Sequence, residues 1–176
     1  MKTIKLLVLL CFFILTACSS VYVNTDYDKR AHFDQYKTFA YLKSGIDKAE
    51  ISDLDKKRIL YALNETLISK GFTKSENADI LISFFTKEKE RIDYYNNWGW
   101  NMGWNNPWWG AGINYSMPIT SIEGTLIIDI IDAKTQELIW QGKGSGYLTD
   151  DVNKKDARIK EFVSKILEKY PPQIKN

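Results

Sequence analysis

The sequence predicts a single α+β domain whose mostly antiparallel sheet of about five strands carries two helices on one face. The strand-like segments, with alternating or β-branched apolar residues, are 21–27, 36–43, 78–89, 119–132 and 137–147. Two further segments, 53–70 and the one after residue 151, repeat apolar residues at helical spacing. The predicted order is therefore β-β-α-β-β-β-α. Each helix has one apolar stripe, and both stripes are most simply buried against the same sheet face.

The first half of the chain contains two predicted strands and a helix. Residues 21–27 alternate along the chain, and 36–43 form an aromatic segment. Ser52 and Asp55 resemble the capping pair that starts a helix, and Gly71 resembles its C-terminal cap. The apolar stripe of this helix is expected to face the core.

The second half of the chain is predicted to form three strands and a helix. Residues 78–89 begin apolar on both faces and end charged, so this strand should run from the core into solvent. Residues 119–132 and 137–147 are separated by a short turn, and they should pair as an antiparallel hairpin. Asp150 or Asp151 is expected to cap the last helix, which two consecutive prolines end.

The N-terminus has the three zones of a secretory signal. Lys2 and Lys5 supply positive charge, residues 6–15 form an apolar run, and small residues follow it. Such a run is too short to span a hydrocarbon core of about 30 Å. Residues 1–17 are therefore predicted to be a signal peptide that is removed.

The end of that segment, LTAC at 15–18, resembles the lipobox of bacterial lipoproteins. The resemblance implies cleavage between Ala17 and Cys18, and acylation of Cys18, which would anchor the protein because two or more acyl chains bind a bilayer stably. Residues 18–20 then form the lipidated cysteine and a short tether. Ser19 in place of Asp resembles the sorting pattern for the outer membrane. We expect its periplasmic face, with surface exposure as the alternative.

Composition argues against several classes of function. Lys2 and Lys5 account for the whole formal charge of +2, and the remaining neutral chain lacks the basic footprint of a nucleic-acid binder. If, as the lipobox resemblance implies, Cys11 leaves with the signal and Cys18 carries lipid, no thiol is expected to remain for a disulfide, a nucleophile or a metal. His32 is the single histidine, and no GxSxG segment accompanies it.

Several segments together resemble the bacterial lipoproteins of domain-of-unknown-function family 4136 (DUF4136). They are VNTDYD from residue 23, FDQYKTFAYL from 33, ADILISF from 78 and GTLIIDIIDAKTQELIWQGKGSG from 124, followed by a helix ending in YPP. The resemblance covers nearly all of 21–172 and is most specific at 124–142. It implies a small α+β domain in the cell envelope, with no established activity and no catalytic residues.

Residues 91–118 differ in composition from the rest and are predicted to form a long loop. Its central block, 94–115, is rich in Trp, Tyr, Asn and Gly. The favoured interpretation is a low-complexity connection, partly disordered, with some indoles folded back on the sheet. The alternatives are contact with an envelope glycan and contact with the membrane surface. The candidate contact residues are Tyr94, Tyr95, Trp98, Trp100, Trp104, Trp108 and Trp109.

Asp129 and Asp132 are carboxylates in strongly apolar surroundings. They are three positions apart on one strand and so point to opposite faces, whereas acid/base catalysis needs convergent groups. Asp132 is expected to cap backbone amides of the turn that ends at Thr135. Asp129 is expected to be paired or to face solvent on the uncovered side of the sheet.

Three glycines, Gly142, Gly144 and Gly146, alternate at period two in the last strand. They lack the spacing of a phosphate-binding loop. They are expected to leave one sheet face bare, so that a helix or an aromatic side chain approaches closely. Trp140 is the candidate to fill that space.

Together these features predict a lipid-anchored envelope protein that binds or scaffolds without catalysis, with the 91–118 loop as its contact surface. The expected partners are the membrane, through the acyl chains, and an envelope glycan or an envelope protein. No cofactor, metal or nucleic acid is predicted. Two alternatives remain: an envelope hydrolase that uses Asp129 with a second carboxylate, and a subunit of an envelope assembly that offers a sheet edge or the aromatic loop to a partner chain.

Overall fold

The computed structural model describes residues 21–94 and 118–173, which form one open sheet of six strands with three helices and one 3₁₀ turn. The strands are β1 (Tyr22–Tyr27), β2 (Thr38–Tyr41), β3 (Thr73–Lys74), β4 (Ile80–Tyr94), β5 (Pro118–Asp132) and β6 (Leu138–Tyr147). The helices are α1 (Lys43–Ile46), α2 (Asp53–Ser69) and α3 (Val152–Leu167), and the 3₁₀ turn is Phe33–Gln35. The predicted α+β class is confirmed.

The spatial order of the strands is β1-β6-β5-β4-β2-β3. Neighbours from β1 to β4 are antiparallel, whereas β2 runs parallel to both β4 and β3. A parallel pair requires a crossover connection, and α2 supplies it between β2 and β4. The sixth strand, β3, has only two residues, and so short a segment carries no periodic signal.

The second predicted strand, 36–43, is longer than the strand that forms. β2 covers only Thr38–Tyr41, and the chain then turns at Leu42 into α1. α1 lies over β4 on the face opposite the long helices, where a Cβ added at Gly45 would overlap the Ser83 hydroxyl. Only a glycine fits this close approach without a shift of Ser83.

The two long helices have the predicted caps. Ser52 Oγ accepts a hydrogen bond from the Asp55 amide at 3.1 Å, and Gly71 has the positive φ of 88° typical of a helix C-cap. At α3, the Asp151 carboxylate accepts from the Asn153 amide at 3.0 Å. The helices run side by side in the same direction, since ion pairs join them at matching heights, among them Arg58 with Asp156 at 2.6 Å.

The core lies between these helices and one face of the sheet. On that face the residues with even numbers are buried over 80–84 of β4, 126–130 of β5 and 140–146 of β6, and α3 packs its own apolar stripe on β5 and β6. The largest fully buried side chains are Trp140, Tyr170, Phe39, Phe84, Leu63, Leu67, Ile80, Ile82, Ile128, Ile130, Ile166 and Leu167. Both helices therefore bury their stripes as the periodicity predicts.

Trp140 fills the space that the glycines of β6 leave, as predicted. A Cβ at Gly142 would overlap both Trp140 and Ile166, and one at Gly144 would lie 2.8 Å from Ile166. The Trp140 ring also meets Tyr170 edge-on, with ring centroids 5.3 Å apart. The glycines thus let α3 pack directly on the sheet.

β4 and β5 continue beyond the rest of the sheet. β6 pairs with β5 only as far as Glu123, whereas β4 and β5 stay paired to Tyr94 and Pro118. Residues 90–94 and 118–122 therefore form a two-stranded ribbon, here called the β-arm, that is about 17 Å long at 3.4 Å per residue. The predicted loop is correspondingly shorter than 91–118, because 91–94 and 118 belong to strands and the connection is 95–117.

Candidate functional site

One end of the sheet, here called the arm end, collects the features that the sequence singled out. β1 begins there, because Tyr22 pairs with Ser145 near the end of β6, and the β-arm leaves from the same end. α2 and α3 also begin there, since Asp55 of α2 and Lys155 of α3 line one cavity with Gly124 of β5. The arm end therefore joins the start of the folded chain to the β-arm.

The predicted contact and lipidation residues lie mostly outside the described part of the chain. Tyr94 is the last residue of β4, at the tip of the β-arm. The residues outside the described ranges are Ala17, Cys18, Tyr95, Trp98, Trp100, Trp104, Trp108 and Trp109. Their roles stay predictions.

The arm end also carries most of the large apolar side chains that the described residues expose. Tyr22 is 77% exposed and Val152 is 65% exposed, and Leu54 at the start of α2 is 62% exposed. Tyr147, the last residue of β6, and Leu148, which follows it, are exposed as well. The sequence analysis missed this grouping, because the five residues come from four separate segments that only the fold brings to one end.

A cavity of about 160 Å³ opens at the arm end, between the helices and the sheet. Its apolar walls include Leu126, Leu148 and Phe162. Asp55 stands at its rim, where burial tends to raise the pKa of the carboxyl, but hydrogen bonds from Ser52 and Arg58 and the charge of Lys155 outweigh burial and lower it. This carboxylate joins the two helices, since its Oδ2 lies 3.5 Å from Lys155 Nζ of α3.

Asp129 lies on the opposite face of the sheet, beside a shallow hollow. Its Oδ1 accepts a hydrogen bond from Gln141 Nε2 at 2.7 Å, and burial raises its pKa more than this bond lowers it. Glu50 and Lys48, from the segment after α1, line the same hollow. Of the two alternatives expected for Asp129, pairing or exposure to solvent, the structure shows pairing, with an amide as the partner.

Replacing Asp129 by Asn is expected to raise the free energy of unfolding near neutral pH by about 0.5 kcal/mol. Because the pKa of Asp129 is raised in the folded state, the group contributes most to the free energy of unfolding when the pH is below its ordinary pKa of 3.8. This contribution is lost as the pH rises through the folded-state pKa. Asn stays neutral and keeps the acceptor for Gln141. Urea unfolding across the acidic range should show the advantage of the variant vanishing at low pH.

Asp79→Asn is the matched control, with the opposite sign. Asp79 accepts from the amides of Lys37 and Thr38 at 2.9 Å, and these bonds lower its pKa. Its variant should lose stability at neutral pH. A loss of stability in Asp129→Asn of similar size would show that the Asp129 carboxylate makes a favourable interaction in its charged form.

Asp132 has the predicted capping role. Its Oδ1 accepts from the amides of Lys134 and Thr135 at 2.8 and 2.9 Å, and its Oδ2 accepts from the Tyr36 hydroxyl at 2.8 Å. The bond from the Thr135 amide is the main reason that its pKa is lowered. Asp129 and Asp132 face opposite sides of β5, so they do not form a catalytic pair.

No group of three or more metal-ligating side chains occurs within residues 21–94 and 118–173. In the same part of the chain no helix has the length and apolar character needed to cross a bilayer.

These features define a class of protein: a small α+β domain with an open sheet, two long helices on one face of it and a projecting β-arm. The chain belongs to the family described as domain of unknown function DUF4136, whose model matches residues 23–172. The resemblance noted in the sequence is therefore confirmed. No curated protein matches the sequence.

Two solved structures share the fold at low sequence identity. A PDZ domain protein from Parabacteroides distasonis has a TM-score of 0.52 at 17% identity over 89% of this chain. The chain spans 37% of the length of that protein. A PelC dodecamer from Paraburkholderia phytofirmans has a TM-score of 0.51 at 12% identity, over 84% of this chain and 94% of its own. At these identities the likeness concerns the fold alone.

Proposed function

We propose that this protein is a lipid-anchored lipoprotein of the bacterial cell envelope that binds or scaffolds without catalysis. Acyl chains on Cys18 hold it at the periplasmic face of the outer membrane after cleavage behind Ala17. The β-arm presents the aromatic block as the contact surface, with Tyr94, Tyr95 and the five tryptophans of 98–109 as contact residues. The lipid determines where the protein works, and the helix-covered sheet is a rigid base for the arm.

The β-arm is the observation that carries this proposal. Five residues of each strand extend past the last pair between β5 and β6, so the connection at 95–117 begins about 17 Å beyond the body of the sheet. A connection that only joined two strands would need two to five residues directly at the edge of the sheet. An aromatic block carried outward in this way fits contact with another surface.

The absence of catalysis is supported by what the described carboxylates do. Asp55 joins α2 to α3, Asp132 caps a turn, and Asp129 accepts from Gln141. A hydrolase using Asp129 would need a second carboxylate, for which Glu50 at the same hollow is the candidate among the described residues. The carboxylates of Asp55 and Asp132 each hold the fold together, through an ion pair and a turn cap.

Excision of residues 90–122 tests the contact surface. Lys89 and Glu123 are directly paired, so an Asn-Gly turn between them closes the hairpin without disturbing β6. The variant should keep its free energy of unfolding within about 1 kcal/mol, because the arm lies outside the core. Compared in non-acylated form, so that the lipid anchor itself does not hold the protein to vesicles, the variant should lose binding to peptidoglycan sacculi and to vesicles, measured by co-sedimentation.

Two outcomes would contradict this proposal. A loss of several kcal/mol in thermal unfolding would mean that the tryptophans belong to the core. Unchanged co-sedimentation would mean that the contact surface lies in another part of the domain.

A second candidate function, a subunit of an envelope assembly, is favoured by an open edge on β4. β2 pairs with β4 only from Ile80 to Ile82, and within the described residues no strand pairs with that side of β4 from Phe84 to Tyr94. Such an edge is a template for a strand from another chain. The PelC chain of similar fold is described as a dodecamer.

In-cell photocrosslinking separates this candidate from glycan binding. A photoreactive residue replacing the exposed Lys87, on the open edge, should give a discrete adduct with a protein if the edge binds a partner chain. The same residue replacing the exposed Lys57 on α2 is the control. Adducts at both positions, or at neither, would remove the edge as an interface.

A further inference from the structure

We infer that the arm end of the domain faces the bilayer that holds Cys18, so that the partner of this surface is the lipid headgroup layer of the protein's own membrane. This inference rests on the proposed lipid anchor. Of the two contact partners that the sequence analysis considered, an envelope glycan and the membrane surface, it favours the membrane. It also defines which end of the domain points toward the bilayer. Three independent features of the described residues carry it.

The first feature is the place where the folded chain begins. Val21 is 8% exposed, and its side chain packs against the position of Gly144, so the chain is held to the sheet from this residue onward. Cys18 precedes Val21 by three residues, which span at most about 11 Å. Since β1 begins at the arm end, the anchor holds that end, and not the opposite one, close to the bilayer.

The second feature is the length of the β-arm. It continues β4 and β5 away from the body at the same end, for about 17 Å. This length exceeds the reach of the tether, about 11 Å. The arm therefore meets the bilayer when the tether is extended, and lies obliquely along it when the tether is compact. A glycan site far from the membrane would require the arm and the anchor to leave from opposite ends.

The third feature is the distribution of exposed apolar side chains. Among the described residues, the large apolar side chains exposed at the arm end are Tyr22, Leu54, Tyr147, Leu148 and Val152, against Ile68 and Leu138 at the far end and Tyr61 midway along α2. Tyrosine and aliphatic side chains are the groups that settle at a membrane interface. The arm end is thus the end suited to a lipid surface.

Charge has a minor part in this contact. Asp150 and Asp151 lie between Leu148 and Val152, and Lys154 pairs with Asp151 at 3.3 Å. This local mixture of signs gives no strong attraction to anionic headgroups. The orientation should accordingly persist at high salt, unlike that of a protein held by a basic patch.

Energy transfer from single labelled cysteines to the bilayer tests the orientation. The acylated protein has no other free thiol if Cys11 is removed with the signal, so Val152→Cys and Ile68→Cys can each carry one donor dye. These positions lie about 20 Å apart along two parallel helices. The full-length acylated protein is reconstituted in phosphatidylethanolamine and phosphatidylglycerol vesicles with acceptor dye on the headgroups.

The donor at Val152 should show the greater transfer efficiency, with and without high salt. Equal efficiencies, or greater efficiency from Ile68, would overturn the orientation while leaving the anchor in place. Failure of the protein to enter vesicles or the membrane fraction would instead overturn the proposed anchor. Excision of 90–122 should reduce the difference in transfer efficiency between the two positions. An unchanged difference would show that the β-arm takes no part in the membrane contact.

Discussion

Replacing Cys18 by Ala is expected to abolish membrane attachment. Without the thiol no diacylglyceryl group can be added, and the apolar run of the signal is too short to anchor the chain in its place. The variant should move from the membrane fraction to the soluble fraction, or accumulate with its signal uncleaved. Fractionation with an alkaline wash measures the loss, and intact mass spectrometry measures the acyl mass on the native protein.

Cys11→Ala is the matched control for this experiment. Cys11 is the other cysteine of the chain and lies within the apolar run of the predicted signal. Its loss should leave export, cleavage and membrane attachment unchanged. The anchor hypothesis fails if the Cys18 variant stays in the membrane fraction, or if the native protein begins uncleaved and carries no acyl mass.

Replacing Trp140 by Ala is expected to lower the free energy of unfolding by about 3–5 kcal/mol. The Trp140 side chain is 1% exposed and packs on Tyr170, and it occupies the space that Gly142 leaves open. The cavity cannot be filled easily, because Gly142 has no side chain to move into it. Urea unfolding followed by far-UV circular dichroism measures the effect without interference from the other tryptophans.

Tyr61→Ala provides the comparison for this core substitution. Tyr61 is also aromatic but is 75% exposed on α2, so its removal should change the free energy of unfolding by no more than about 0.5 kcal/mol. A similar small effect at Trp140 would mean that the sheet and α3 are not packed as described. An equally large loss of unfolding free energy in Tyr61→Ala would mean that the Tyr61 side chain makes a stabilising contact that the structure does not show.

Local signals were sufficient to predict most elements of the fold. Ser52 and Gly71 bound α2 as their helix-capping preferences require, and the pattern at 119–147 produces the β5–β6 hairpin. The sequence predicts that Trp140 packs on the β6 glycines, because glycines lack side chains and leave space for a large side chain on that face of the strand. These inferences succeeded because each depends on residues close in sequence.

Long-range pairing was the part that local signals could not predict. The parallel placement of β2 beside β4 depends on the path of α2, and the position of α1 over β4 brings together Gly45 and Ser83, which are far apart in sequence. The change in composition at residue 91 predicts the end of a strand, whereas the backbone pairing of β4 with β5 continues to Tyr94 and forms the β-arm.

The sequence by itself determined the α+β class, the family, the N-terminal caps of the two long helices and the choice of Trp140 as a core residue. Tertiary structure alone decided that the chain start, the β-arm and the exposed apolar side chains share one end of the domain. The reason is physical: periodicity and capping report on contacts within a few residues. The end at which separate segments meet depends on strand direction and register, which are settled by the packing of the whole sheet.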